Sequence, residues 1–198
     1  MSLTLLLDPI DIESLNVDLR SDSLYHSFYV FEEKLPKWKN VDIAIIGVNE
    51  YRGQNVEVNI NAADKVRKKL YDLKQLKHAL KIVDIGNIKL GETLEHTQDR
   101  LAEVCKLLLE ENVIPLIIGG SHDLDLGQFK GYLHNEEDLK LLTIDSTLDI
   151  VEEGIDCEKH SREILLHDPN ILFNYAHLGY QTYLNHPNAT DILEKMKL

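Results

Sequence analysis

Cysteine is scarce in this chain: Cys105 and Cys157 are the only two in 198 residues, they lie far apart, and neither has a Cys-x-x-Cys partner. A disulfide framework is therefore not expected, in keeping with a reducing compartment, and both thiols read as ordinary core or near-surface residues. Basic charge is also short. Twenty-one Lys and Arg against 34 Asp and Glu leave a net charge of -13, which repels phosphate backbones and anionic lipid surfaces. Nucleic acid and membrane are thus not expected as partners. Long apolar runs are missing too: Leu3 to Leu7 is interrupted by Thr4, lacks a basic flank and stops at Asp8, too short for a secretory core or a span. The expected location is cytoplasmic. Gly/Pro-rich stretches, single-sign charge blocks and internal repeats are absent as well, which leaves an ordinary globular composition and one domain over residues 1–198.

What the chain does have is alternation. Val41 to Val48 is a nearly continuous, β-branched apolar run, the pattern of a strand buried on both faces. A polar loop, Asn49 to Asn61, separates it from an amphipathic helix whose inward positions are expected at Val66, Leu70 and Leu73. Further strands are expected at Lys81 to Gly86, Val113 to Ile118, Leu139 to Ile144 and near Ile171 to Tyr175. Between them fall helices from Gly91 to Asn112, Leu124 to Leu133 and around Glu158 to Leu166, with another starting near Asp191. Such alternation builds a mostly parallel sheet through right-handed crossovers, so the fold class is α/β, doubly wound. The first forty residues are less regular: Tyr25, Phe28, Tyr29, Phe31 and Trp38 fit an apolar helix or an edge strand capping the sheet, with their aromatic rings used for packing.

Two strand ends carry the chemistry. Ile117-Ile118-Gly119-Gly120-Ser121-His122-Asp123 and Ile144-Asp145-Ser146-Thr147-Leu148-Asp149 each run from apolar residues straight into oxygen and nitrogen donors. In an open α/β sheet, ligands collect at the carboxyl ends of strands, so two adjacent strands would bring His122, Asp145 and Asp149 to one crevice. In extended chain Asp145, Thr147 and Asp149 point the same way, and two carboxylates aimed together repel unless a cation, a proton or hydrogen bonds satisfy them. A divalent ion is one solution, with His122 favouring Mn, Zn, Fe or Co over Mg or Ca. A plain turn followed by helix caps is the other. Phosphate binding lacks its backbone nest, because the loop from Gly47 to Gly53 is neither a P-loop nor a GxGxxG fingerprint.

The segment Ile114 to Asp123 resembles the Gly-Gly-Asp-His segment of the ureohydrolase family of arginases, agmatinases and formimidoylglutamases. Ile144 to Asp149 resembles its Asp-Ala-His-x-Asp segment. Ile45 to Gly53 is similar to its Gly-Val-Pro-Phe-Asp-x-Gly loop, and Ala62 to Arg67 to its Gly-Pro-x-x-Ile-Arg helix start. The tail Ile171 to Tyr183 points to the formimidoylglutamase-like branch. The resemblance implies a three-layer α/β/α fold with a mostly parallel sheet, of which the C-terminal part is missing here, since family members are longer.

It also implies a binuclear manganese site that hydrolyses C–N bonds of linear amidines, the partners being small guanidino or formimino substrates. A homo-oligomer is a further implication of the family. Residue by residue, His122 matches a metal-binding histidine, and Asp145 and Asp149 match two aspartates. Thr147 stands where the family has a second histidine, Ser121 where it has an aspartate, and no later Asp-x-Asp segment follows. Asp156, Asp168 and Asp191 are isolated and read as caps or solvated charges, and His160 as a surface helix histidine. One manganese ion at most is expected. A non-catalytic binding or scaffold protein without metal is the alternative.

Overall fold

The computed structural model describes residues 3–55, 61–75, 80–134 and 138–196. Residues 56–60 of the expected polar loop lie outside them. The N-terminal residues form β1 (Leu7–Asp8) and β2 (Phe28–Val30), and the five apolar runs expected as strands form β3 (Ile43–Gly47), β4 (Ile82–Ile88), β5 (Ile114–Ile118), β6 (Leu139–Ile144) and β7 (Leu172–Leu178). The helices are α1 (Ile12–Leu15), α2 (Ala62–Tyr71), α3 (Leu94–Glu110), α4 (Leu124–Tyr132), α5 (Asp156–Leu165) and α6 (Ala189–Met196). The architecture is α/β, three-layered, with a mostly parallel sheet.

β4 and β3 form the centre of the first sheet, in the order β1-β4-β3-β5. Continuous Val and Ile in these strands fit burial on both faces, and Ala44, Ile46, Val83 and Ile85 are fully enclosed. The N-terminal residues supply two edge strands on β4: β1 runs antiparallel beside Ile88 and Asn87, and β2 runs parallel beside Ile82 to Asp84. Of the aromatic residues, Phe31 is buried in the main core with Trp38 against it, while Tyr29 remains exposed. Along α3, Leu101, Val104, Cys105 and Leu108 recur at helical spacing and enter the same core.

Two expectations are corrected. The face of α2 turned inward carries Ala63, Arg67 and Tyr71, whereas Val66 and Leu73 are exposed. Arg67 goes inside because Asp84 of β4 meets it there, with Nε to Oδ2 at 2.8 Å and Nη2 to Oδ1 at 2.9 Å. Charge pairing thus overrides apolar periodicity. The second correction concerns the sheet: among the described residues β5 pairs with β3 alone, and β6 pairs only with β7 in a second, two-stranded parallel sheet. The two key strands are not hydrogen-bonded neighbours. A cleft of about 740 Å³ separates them, lined by Leu116, Ile117, Leu141, Leu142, Thr143 and Phe129 among others.

Both facing edges carry exposed apolar side chains, including Leu116 at 45% and Leu142 at 57% of full exposure. Edges of this kind template intermolecular pairing. Leu142→Lys is therefore expected to raise the concentration at which the protein remains monodisperse in light scattering. Its urea-unfolding free energy should change by no more than about 0.5 kcal/mol, as for other exposed positions. A larger loss would mean that Leu142 is packed in solution.

Candidate metal centre

The turn after β5 is built on glycine. Gly119 and Gly120 have φ of +93° and +86°, in the left-handed region, and a Cβ on Gly120 would fall 2.0 Å from Leu124 Cδ1. Ser121 then seals the turn: its N–H donates to the Glu50 carbonyl at 2.9 Å, placing His122 at the mouth of the cleft. Glu50 is itself buried and bonded by the Arg52 N–H and Nε at 3.0 and 2.9 Å and by the Thr97 hydroxyl at 2.9 Å. The loop after β3 therefore acts as the floor under His122.

Asp145 and Asp149 arrive from the other side. β6 ends at Ile144, and Asp149 has φ of +50°, so the carboxylates do not converge through simple strand alternation as expected. A folded loop brings them round instead. His122 Nδ1 lies 2.9 Å from Asp149 Oδ2 and 3.3 Å from Asp145 Oδ2. One donor atom from each of the three residues falls within 4.8 Å of the others. Asp149 is largely enclosed, at 9% side-chain exposure, whereas His122 is half open to solvent at 49%.

Electrostatics follow from that arrangement. The Asp149 hydrogen bond holds the His122 imidazolium above the ordinary imidazole range, against the opposing effect of burial. Burial works against the Asp149 carboxylate in turn, but the His122 hydrogen bond and the nearby His160 charge outweigh it and lower its pKa. Without metal, the His122 contribution to stability is complete below about 6.5 and is lost as pH rises through its raised folded value. The Asp149 contribution is complete above about 3.8 and is lost as pH falls through its lowered value. Chelated protein should therefore show a urea midpoint highest between those limits, and His122→Ala should flatten the alkaline side. An unchanged pH profile in His122→Ala would contradict the pairing.

His160 is the residue most altered from its sequence reading. It is 4% exposed, with Nε2 3.6 Å from Asp125 Oδ2 and its ring 6.1 Å from that of His122. Burial disfavours its charged form, but Asp125 and Asp149 outweigh this and raise its pKa. The sequence does carry a signal: His160 precedes Ile164 by one helical turn, on the face of α5 that is buried. Asp123 is also enclosed, and burial raises its pKa, while Gln98 Nε2 donates to its backbone carbonyl at 2.9 Å. Thr147 is half-buried and hydrogen-bonds the Asp149 side chain, which adds to the lowering of its pKa, while Asp156, Asp168 and Asp191 lie outside the three-residue cluster. Cys105 and Cys157 are free thiols, one buried and one partly exposed.

Residues 41–197 match the model of the arginase family. The chain belongs to the arginase family. Among arginase-family relatives, the formimidoylglutamase of Streptococcus gordonii is 26% identical over 175 residues, 80% of this chain and 53% of that protein. The Geobacillus formimidoylglutamase is 31% identical over 106 residues, 50% of this chain and 32% of its own length. The chain therefore spans about half the length of the first of these curated relatives and less of the second. In structure, a Trypanosoma cruzi formiminoglutamase with Mn2+ superposes at a TM-score of 0.76 with 18% identity, over 89% of this chain and 64% of that one. Bacillus subtilis formimidoylglutamase superposes at 0.74 with 14% identity, over 96% and 62%. These superpositions establish the arginase-type fold. No helix among the described residues is long and apolar enough to cross a membrane.

Proposed function

We propose that this chain is a manganese-binding hydrolase module for C–N bonds of linear amidines, of formimidoylglutamase type, in which His122, Asp145 and Asp149 hold a single ion. The observation that carries the reading is the convergence of three donors from two separate strand ends. Two ligands at right angles around one ion with bonds of about 2.1 Å lie roughly 3 Å apart, and the His122–Asp149 and His122–Asp145 separations of 2.9 and 3.3 Å fit that spacing. One nitrogen and two carboxylate oxygens suit Mn, Zn or Fe.

A divalent ion here would polarise a C=N group and lower the pKa of bound water. The chain's own residues set the rest. The cleft between β5 and β6, at about 740 Å³, is of a size that takes a small ligand, and Leu116 and Leu141 give it apolar walls. His160, paired with Asp125, stands beside His122 and can hold a proton at Nε2.

A second reading is a metal-free binding protein of the same family. It is favoured by Thr147, a poor metal donor where the family carries histidine, and by the ease with which His122 and Asp149 satisfy each other directly. Metal uptake separates the two. After dialysis against Mn2+, elemental analysis should find one ion per chain, and Mn2+ at about a hundred times its Kd should stabilise the fold by about 2.7 kcal/mol. Hydrolysis of formiminoglutamate, agmatine and arginine is assayed alongside. No retained metal and no change in the melting temperature would sink the hydrolase reading in favour of the binding one.

A further inference from the structure

The loop from Asp145 to Asp149 is anchored from the side of β7, and the anchors are residues outside the three-donor cluster. The Asp145 N–H donates to the Leu178 carbonyl at 3.1 Å, and the Asp145 carbonyl faces His177 Nε2 at 3.0 Å. A carbonyl can only accept, so His177 carries its proton on Nε2. Its Nδ1 is then free to accept from the Tyr175 hydroxyl at 2.9 Å, which holds the ring in that tautomer. Further along, the Leu148 N–H donates to Asn185 Oδ1 at 2.7 Å. Asn185 Nδ2 in turn donates to the carbonyls of Ser146 at 3.1 Å and Gln181 at 2.8 Å. The Asn185 amide thus bridges both sides of the loop.

Beneath it, Leu148 and Ile150 are buried against Leu165 and Ala189. Asp145 Oδ1 accepts from the Ser146 N–H at 2.5 Å, and Oδ2 is the oxygen near His122. Asp149 holds its left-handed backbone at φ +50° within the same stretch. A conformation of that kind persists where surrounding contacts over-determine it.

We propose that His177 and Asn185 are positioning residues of the metal centre: without touching the ion, they fix the backbone from which Asp145 and Asp149 aim, and so set its affinity. The inference rests on the metal reading above. Partners that orient metal ligands typically carry about ten- to a hundredfold in affinity.

The test compares the full chain with His177→Ala, His177→Gln and Asn185→Ala by Mn2+ titration, following the EPR signal of free and bound Mn2+, with thermal melting of the metal-free proteins alongside. His177→Ala and Asn185→Ala should weaken Mn2+ binding by about tenfold or more and broaden the bound signal. His177→Gln, whose amide nitrogen can take the place of Nε2, should recover most of the affinity. Affinities matching the unsubstituted chain in both alanine variants would overturn the positioning role and leave the metal reading intact. Equal loss in His177→Ala and His177→Gln, in step with melting temperature, would also overturn it, since the residues would then be merely structural. An unsubstituted chain that takes up no Mn2+ overturns the metal reading, and the positioning role with it.

Discussion

Arg67→Ala is expected to remove about 3–5 kcal/mol of unfolding free energy, the usual cost of stranding one member of a buried ion pair. Arg67 and Asp84 both have fully buried side chains, and their two parallel contacts at 2.8 and 2.9 Å tie α2 to the central strand β4. The guanidinium also donates to Asn87 Oδ1 at 2.6 Å, to the Gly86 carbonyl at 2.9 Å and to Asp64 at 3.1 Å. Tyr71 completes the set, its hydroxyl donating to Asp84 Oδ2 at 2.8 Å. Burial alone would favour neutral Arg67, but the Asp84 charge outweighs it and keeps the guanidinium charged. Truncation leaves the Asp84 carboxylate enclosed with the Tyr71 hydroxyl and the Gly86 N–H as its remaining donors.

Against a total stability of about 5–15 kcal/mol for a native protein, that loss threatens folding at physiological temperature. The double variant Arg67→Met with Asp84→Leu removes both charges and should recover much of the loss. Urea unfolding of the three proteins reads the outcome. A loss below about 1 kcal/mol in Arg67→Ala would show that water reaches the pair in solution, because exposed pairs carry only that much.

Asp149→Ala should abolish manganese uptake, with at least about a hundredfold loss of affinity, above the range for residues that only orient ligands. Asp149 is the most enclosed of the three donors, and its Oδ2 makes the shortest contact to His122. Its removal takes away one of the two carboxylates proposed to hold the ion and also the hydrogen bond that raises the His122 pKa. Metal-free Asp149→Ala should accordingly show His122 titrating nearer the ordinary imidazole range by NMR. Asp149→Asn keeps the shape and removes the charge, so it separates a steric defect from an electrostatic one. Retained Mn2+ binding in Asp149→Ala would move the ion to other ligands and end the three-donor assignment.

The candidate donors are legible in the sequence because the chemistry is local. Gly119-Gly120 before His122, and an apolar run before Asp145, mark strand ends in any α/β chain. His160 reads as a surface residue because one buried histidine on α5 looks like any helix histidine until Asp125, on a different helix, is found 3.6 Å away. Asn185 and His177 carry no local mark for the same reason: their partners, Leu148 and Asp145, are 37 and 32 positions away.

By itself the sequence determined the order of strands and helices, the α/β class and the resemblance to the arginase family, and it singled out His122, Asp145 and Asp149 as candidate donors. Each depends on residue type and short-range spacing, which hydrophobic periodicity and turn chemistry record directly. Tertiary structure alone decided that α2 buries Arg67 instead of Val66, that β5 and β6 face each other across a cleft, and that the Asp145–Asp149 loop hangs from β7 and Asn185. Those outcomes depend on which distant polar group compensates a buried charge or carbonyl, and on which strand edges meet. Local pattern carries no record of such pairings, because their free energy arises only once the chain has closed the loops between them.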